Sequence, residues 1–274
     1  MTLVYACIAP HGGELIPELA KDEKGRYTVL RNGMETLASR ARSAKPETIV
    51  IASPHNLRLT KHIGIVLSEN TSGTVTEKEG SISLGARCDV KLGKRALSEA
   101  EGAGLPVVGA NYGALEGPSS NLPMDWGSLI PLWYFIRGGG SRKVLIVTPS
   151  RGIPLRQNFE FGRVIARVAE ATKRKIAFVA SADQAHAHSK DGPYGFSKAA
   201  AEYDRRVIDS IKRGRLHSIL KFDLRFVEDA KPDSLWQMTM LAGVLDVVPM
   251  KGEVIAYDVP SYFGMICASY TRSR

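Results

Sequence analysis

The run Thr48-Ile49-Val50-Ile51-Ala52 constrains the fold most, because it is β-branched and apolar from end to end. A strand without a polar face has to be covered on both sides. Leu3 to Ala9, Ile63 to Leu67, Leu105 to Val108, Lys143 to Val147 and Ile176 to Ala180 also read as strands. Between them lie helical patterns: Met34 to Ala44, stopped by Pro46, Lys91 to Ala103, Ser128 to Ile136 with Pro131 interrupting it early, and an amphipathic stretch from Phe161. Further on, Lys198 to Arg213 and Leu216 to Phe222 read as helices, Ser234 to Leu245 as a buried helix, and Val254 to Val259 with Phe263 to Tyr270 as a hairpin joined near Pro260. Such alternation, without a solenoid repeat, predicts an α/β fold in which a mixed central sheet carries helices on both faces, with residues 1–274 as one domain.

The remaining segments are rich in turn formers. Lys21 to Gly33 reads as a turn-rich stretch, Asn70 to Gly80 as a loop or hairpin, Tyr112 to Asp125 as a long loop, Gly138-Gly139-Gly140 as a break and Gly192-Pro193-Tyr194-Gly195 as a turn.

At 44% hydrophobic and 24% charged residues the chain can bury a full core. No uninterrupted apolar run reaches about 18 residues, and no basic leader with a cleavage site precedes Pro10, so a soluble, cytoplasmic protein without a membrane partner is expected. Cys7, Cys88 and Cys267 are widely separated and lack C-x-x-C spacing, which argues against a disulfide framework. The net charge of +9 raises nucleic acid or acidic lipid as partners. Its cations, however, are scattered over predicted helices and turns with few aromatics among them, so solvated helix faces or an anionic substrate explain it as well. A homo-oligomer is compatible with this class of fold, although no stretch marks an interface.

In open α/β sheets ligands gather at the carboxyl ends of the strands, and histidines fall there. Cys7-Ile8-Ala9-Pro10-His11 and Ile51-Ala52-Ser53-Pro54-His55 each end a strand in a small residue, a proline and an imidazole. Singly, each is either a hydrogen-bonded loop residue or a ligand; the matched contexts favour a pair of ligands. Two imidazoles and one carboxylate on one face leave open positions on Fe(II). A third cluster, Ser181 to His188, suits proton transfer, with His186, His188 and Asp183 as candidate catalytic residues. The plainer reading makes Ser181 and Asp183 turn caps and leaves the histidines exposed. His62 and His217 take a structural reading.

Pro10-His11-Gly12-Gly13, Ser53-Pro54-His55, Asp125-Trp126-Gly127-Ser128-Leu129-Ile130-Pro131-Leu132 and Ser181-Ala182-Asp183-Gln184-Ala185-His186 follow one another over nearly the whole chain. In this order they resemble the class III extradiol ring-cleavage dioxygenases of the protocatechuate 4,5-dioxygenase beta-subunit type, a group that also includes the Memo-like proteins. The resemblance implies that His11 and His55 bind Fe(II), with Zn(II) or Mn(II) as alternatives, and that a carboxylate from a late helical region completes the set. It also implies that His186 serves as acid/base toward a catechol- or aminophenol-type substrate, cleaved with dioxygen. For the late carboxylate the choice is Asp233, with Glu228 as the fallback. Asp233 could instead cap a helix, but a capping box between Ser234 and Gln237 would leave it free to point elsewhere.

Where many ring-cleaving members have Asp-His-Gly, this chain has Asp125-Trp126-Gly127. Trp126 can stack on a ring or donate one hydrogen bond through its indole nitrogen, and it cannot shuttle protons. Asp125, Trp126 and Asn56 are therefore the candidate substrate-binding residues, with His188, Asn56 or Asn121 available to compensate for the missing imidazole. Two further readings follow: a Memo-like, non-catalytic metal- or partner-binding protein, and a zinc hydrolase in which the same ligands activate water.

Overall fold

Four parallel strands with no polar face form the centre of the fold, and their side chains divide between two cores. The computed structural model describes residues 2–22, 24–137 and 142–272; the expected break at Gly138-Gly139-Gly140 lies outside these. Its strands are β1 (Leu3–Ala9), β2 (Thr48–Ala52), β3 (Ile63–Val66), β4 (Asn70–Glu77), β5 (Gly80–Arg87), β6 (Val107–Ala110), β7 (Asn121–Pro123), β8 (Lys143–Thr148), β9 (Ile176–Ser181), β10 (Asp183–Ala185), β11 (Pro232–Asp233), β12 (Lys251–Asp258) and β13 (Met265–Thr271). Its helices are α1 (Thr28–Ala44), α2 (Val90–Gly102), α3 (Trp126–Ile136), α4 (Leu155–Thr172), α5 (Lys198–Lys212), α6 (Leu224–Ala230) and α7 (Leu235–Val247). Among the described residues the main sheet runs β11-β10-β13-β1-β9-β2-β8-β3-β6, with β12 paired to β13. β1, β9, β2 and β8 are mutually parallel, while β13 and β3 run antiparallel to them on either side.

The period-2 alternation of a strand accounts for the two cores. On one face Leu3, Ala6 and Ile8 of β1, Val50 of β2, Leu145 of β8 and Phe178 of β9 meet α2, α4, α5 and α7. On the other, Tyr5, Cys7, Ile49, Ile51, Ile146 and Val179 meet α1 and α3. The expected mixed sheet with helices on both faces is what the chain forms. The three cysteines are buried free thiols, and among the described residues no helix is long and apolar enough to cross a membrane.

Several boundaries differ from the sequence reading, each for a physical reason. α1 begins at Thr28, inside the stretch expected to be turns, because Leu30, Met34, Leu37, Ala38 and Ala41 continue one buried stripe through Gly33. The polar segment after Asn70 is a hairpin, β4 with β5, which continues to Arg87 and joins β7 from the expected long loop in a separate three-stranded sheet. α3 passes through Pro131 without interruption, and α4 starts at Leu155, before Phe161. Leu216–Lys221 is a 3-10 helix. α6 and the two short strands β10 and β11 have too few residues to show a period.

α7 is pressed against α4 through reciprocal glycines. A Cβ on Gly162 would stand 1.9 Å from the carbonyl oxygen of Met240, and one on Gly243 would stand 1.9 Å from that of Phe159. Only hydrogen fits at either crossing point, and this contact seats the amino end of α7, just after Asp233, at the sheet edge.

Candidate metal centre

The parallel strands end level with one another. Ala9 of β1 is registered with Ser181 of β9, and Ala52 of β2 with Ala180 of β9 and Val147 of β8. Each strand then releases a polar side chain within three residues: His11 after β1, His55 after β2, Arg151 after β8 and Asp183 after β9. Asp233 arrives from β11, which pairs antiparallel with β10 so that Asp183 and Asp233 stand opposite each other. Four of the five residues converge because parallel strands share one carboxyl edge, and the antiparallel β11 brings Asp233 to the same place.

Around His11 Nε2 lie His55 Nε2 at 3.2 Å, Asp183 Oδ2 at 3.3 Å and Asp233 Oδ2 at 3.6 Å, and His55 Nε2 is 2.7 Å from Asp233 Oδ2. The tautomer of His11 follows from its other nitrogen. Ser181 Oγ donates to the carbonyl of Gly127, so toward His11 Nδ1, 2.9 Å away, it accepts. The ring proton is therefore on Nδ1 and the Nε2 lone pair faces the carboxylates. Buried lone pairs and carboxylates gathered in this way require a shared cation.

A proton can serve. Burial alone would lower the pKa of His11, but the Asp183 and Asp233 carboxylates reverse that and raise it to about 9. Burial would likewise raise Asp233, and its bonds to His11 and His55 instead hold it well below the usual carboxylate range. A metal ion fits better, because it satisfies every lone pair at once. The donor atoms of His11, His55 and Asp233 lie within 4.8 Å of one another. Ligands about 2.1 Å from a common ion and at right angles around it are ~3 Å apart, a spacing that the three observed separations bracket.

His186 faces the same cleft. Its Nδ1 donates to the carbonyl of Gln184 at 2.9 Å, leaving Nε2 as an acceptor, and its ring stacks on Phe263 with centroids 5.0 Å apart. Burial lowers its pKa, so it is a neutral base at pH 7. The cleft has a volume of about 1440 Å³, and Tyr194, Tyr262 and Trp236 add flat aromatic surface to its walls.

The other expected site residues are placed differently. His188 lies outside the cleft: its Nε2 is 2.9 Å from Asp204 Oδ2, which also accepts from Tyr257. It ties a loop to α5. Asp125 is consumed structurally: it caps α3 at Ser128 N and accepts from Ser53 Oγ, Ser128 Oγ and Asn56 Nδ2. That network occupies the Asn56 amide nitrogen as well, so both residues support the His55 loop, and Asp125 also lines the cleft. Asn121 donates to Ser72, and Glu228 pairs with Lys231. His62 and His217 are exposed, away from the cleft.

Trp126 stacks on His55, centroids 4.1 Å apart. His55 Nδ1 has no hydrogen-bond partner among the described residues, so the indole takes over the orienting that a hydrogen bond gives His11. Gly127 makes this possible: a Cβ there would stand 2.7 Å from Ser53 Oγ and 3.2 Å from the His55 ring. The expected capping box is absent. Gln237 Nε2 donates instead to the carbonyls of Asp233, at 2.8 Å, and Ser181, at 3.0 Å, while Ser234 Oγ bonds Tyr203. Arg151 is the residue that sequence reasoning passed over, signalled only by its place just beyond a buried strand; Ser181 and Gln237, read there as caps, bond His11 and the Asp233 carbonyl instead.

A sheet that gathers two imidazoles and a carboxylate at its strand ends, beside a third, neutral imidazole, presents a donor set of the 2-His-1-carboxylate kind that could hold a metal ion. The family described as the catalytic LigB subunit of aromatic ring-opening dioxygenase matches residues 5–266, and the chain belongs to it. Protein CA_C1420 of Clostridium acetobutylicum is 23% identical over 259 residues, 94% of this chain. The match takes up 55% of that protein, so the chain spans about half the length of this relative. The crystal structure of the uncharacterized protein JW3007 from Escherichia coli K12 shares the fold, with a TM-score of 0.58 at 17% identity, over 97% of this chain and 99% of that one.

Proposed function

We propose that this chain is a non-haem Fe(II) extradiol dioxygenase that opens a catechol- or aminophenol-type ring with dioxygen. The observation that carries the reading is the meeting of His11 Nε2, His55 Nε2 and Asp233 Oδ2 within 4.8 Å of one another in the cleft that His186 also lines. His11, His55 and Asp233 would hold a ferrous ion, which when bound would supply Lewis acidity for the reaction of the substrate with dioxygen.

The chain's own residues do the rest. His186, neutral and fixed through Nδ1, accepts the hydroxyl proton of the substrate at Nε2 as the substrate docks, and returns a proton as the product leaves. Phe263 behind that imidazole, with Tyr262 and Tyr194, forms an apolar wall for a planar ring. Trp126, half exposed beside His55, offers a second flat surface and fixes the His55 ring. Arg58 at the cleft wall favours an anionic substrate.

Trp126 also favours a second reading, a Memo-like metal site without ring cleavage, because an indole cannot carry protons. Oxygen uptake on adding catechols or aminophenols to the Fe(II)-loaded protein separates the two. The dioxygenase reading predicts uptake with a new ring-opened chromophore, lowered about 10²-fold or more in His186→Gln while iron content stays the same. Absence of uptake across both substrate classes contradicts it, and tighter retention of Zn(II) with ester or amide hydrolysis would point to a zinc hydrolase.

A further inference from the structure

The Asp233 carboxylate is divided between two tasks. Oδ2 faces the two imidazoles, while Oδ1 accepts from Arg151 Nη2. The Asp233 backbone is fixed separately, by Gln237 Nε2 on its carbonyl at 2.8 Å and by the pairing of β11 with β10. What remains free is rotation of the carboxylate itself, and Arg151 stops it. The guanidinium in turn lies over Trp236 of α7, with Cζ 4.4 Å from the ring centroid, which backs it from the helix that follows Asp233. A planar guanidinium that stacks on one face and donates from its edge suits this task, whereas a flexible ammonium does not.

We propose that Arg151 is a positioning residue that presents Asp233 to a divalent ion through Oδ2 alone, with Trp236 as its backing. The inference rests on the metal reading above and adds to it a determinant of the ligand geometry. The sign of one effect separates positioning from simple charge. A guanidinium this close to a divalent ion repels it, so losing only the charge tightens metal binding. Losing the orientation of Asp233 weakens it, because the carboxylate is then free to turn or to bind through both oxygens.

The test is titration of the metal-free full chain with Co(II) in wild type, Arg151→Met, Arg151→Lys and Trp236→Leu, read by affinity and by the visible ligand-field spectrum. Arg151→Met is expected to bind about 10- to 100-fold more weakly, the usual cost of losing a group that orients a ligand, with an altered spectrum. Arg151→Lys, which keeps the charge and loses the planar edge, is expected to weaken binding as well, and Trp236→Leu to a lesser degree. Equal or tighter binding by Arg151→Met with the wild-type spectrum overturns the proposal and leaves the metal site standing. A wild type that takes up no Co(II) overturns the metal reading and this one together. Thermal unfolding of the metal-free variants verifies folding; should Arg151→Met fail to fold, the spectrum of Arg151→Lys decides, an unchanged spectrum and affinity being the contradicting result.

Discussion

His11 Nδ1 lies 2.9 Å from Ser181 Oγ, and because that hydroxyl donates to the carbonyl of Gly127 it can only accept from the ring. One serine thus decides which nitrogen of His11 faces the cleft. Ser181→Ala removes the acceptor and lets the imidazole tautomerise or turn. Metal affinity is expected to fall about 10- to 100-fold, measured by Co(II) or Mn(II) titration, with the fold retained. Unchanged affinity would show that the hydroxyl does not set the tautomer.

A pH dependence follows from the same imidazole. In the metal-free protein the folded-state pKa of His11 is raised from 6.5 to about 9. A raised pKa contributes stability that is complete below the unfolded value and is lost as pH rises through the folded one. Thermal unfolding of the metal-free chain is therefore expected to show a stability contribution that declines between pH 6.5 and about 9 and is absent in His11→Ala. Metal uptake must displace that proton, so apparent affinity should strengthen about tenfold per pH unit and level off near pH 9. Proton release measured in weak buffer during titration checks the stoichiometry; uptake without release contradicts it.

His188 is a support of the fold. Its pairing with Asp204 sits in a network that also takes the Tyr257 hydroxyl and the Ala185 amide. His188→Ala leaves these buried groups short of a partner, with an expected cost of about 1–3 kcal/mol, read from denaturant unfolding. Metal affinity is expected to stay at the wild-type value. Loss of metal binding in a folded His188→Ala protein would return this residue to the site.

Much of this was legible in the residues because it depends on local pattern. A wholly apolar five-residue run such as Thr48–Ala52 has one stable environment, and Pro-His after two such runs points to the shared carboxyl edge of a parallel sheet. Asp233 was recognisable next to a buried helix, although the capping box invoked to free it does not form. What the residues did not reveal has a common origin in partners that are distant in sequence. The residues around Asp125 give no sign of its bond from Ser53, 72 residues away. His188 looks like a twin of His186 until α5 supplies Asp204. The early start of α1 is of the same kind, since Gly33 in mid-helix is explained only by Cys267 and Ala256 lying against it.

The most direct test of the central claim is iron bound per chain after anaerobic reconstitution with Fe(II), comparing wild type with the double variant His11→Ala, His55→Ala. The geometry of His11, His55 and Asp233 predicts close to one iron per chain in the wild type and almost none in the variant. Equal iron in the two proteins, or negligible iron in both, would contradict an iron centre at these strand ends.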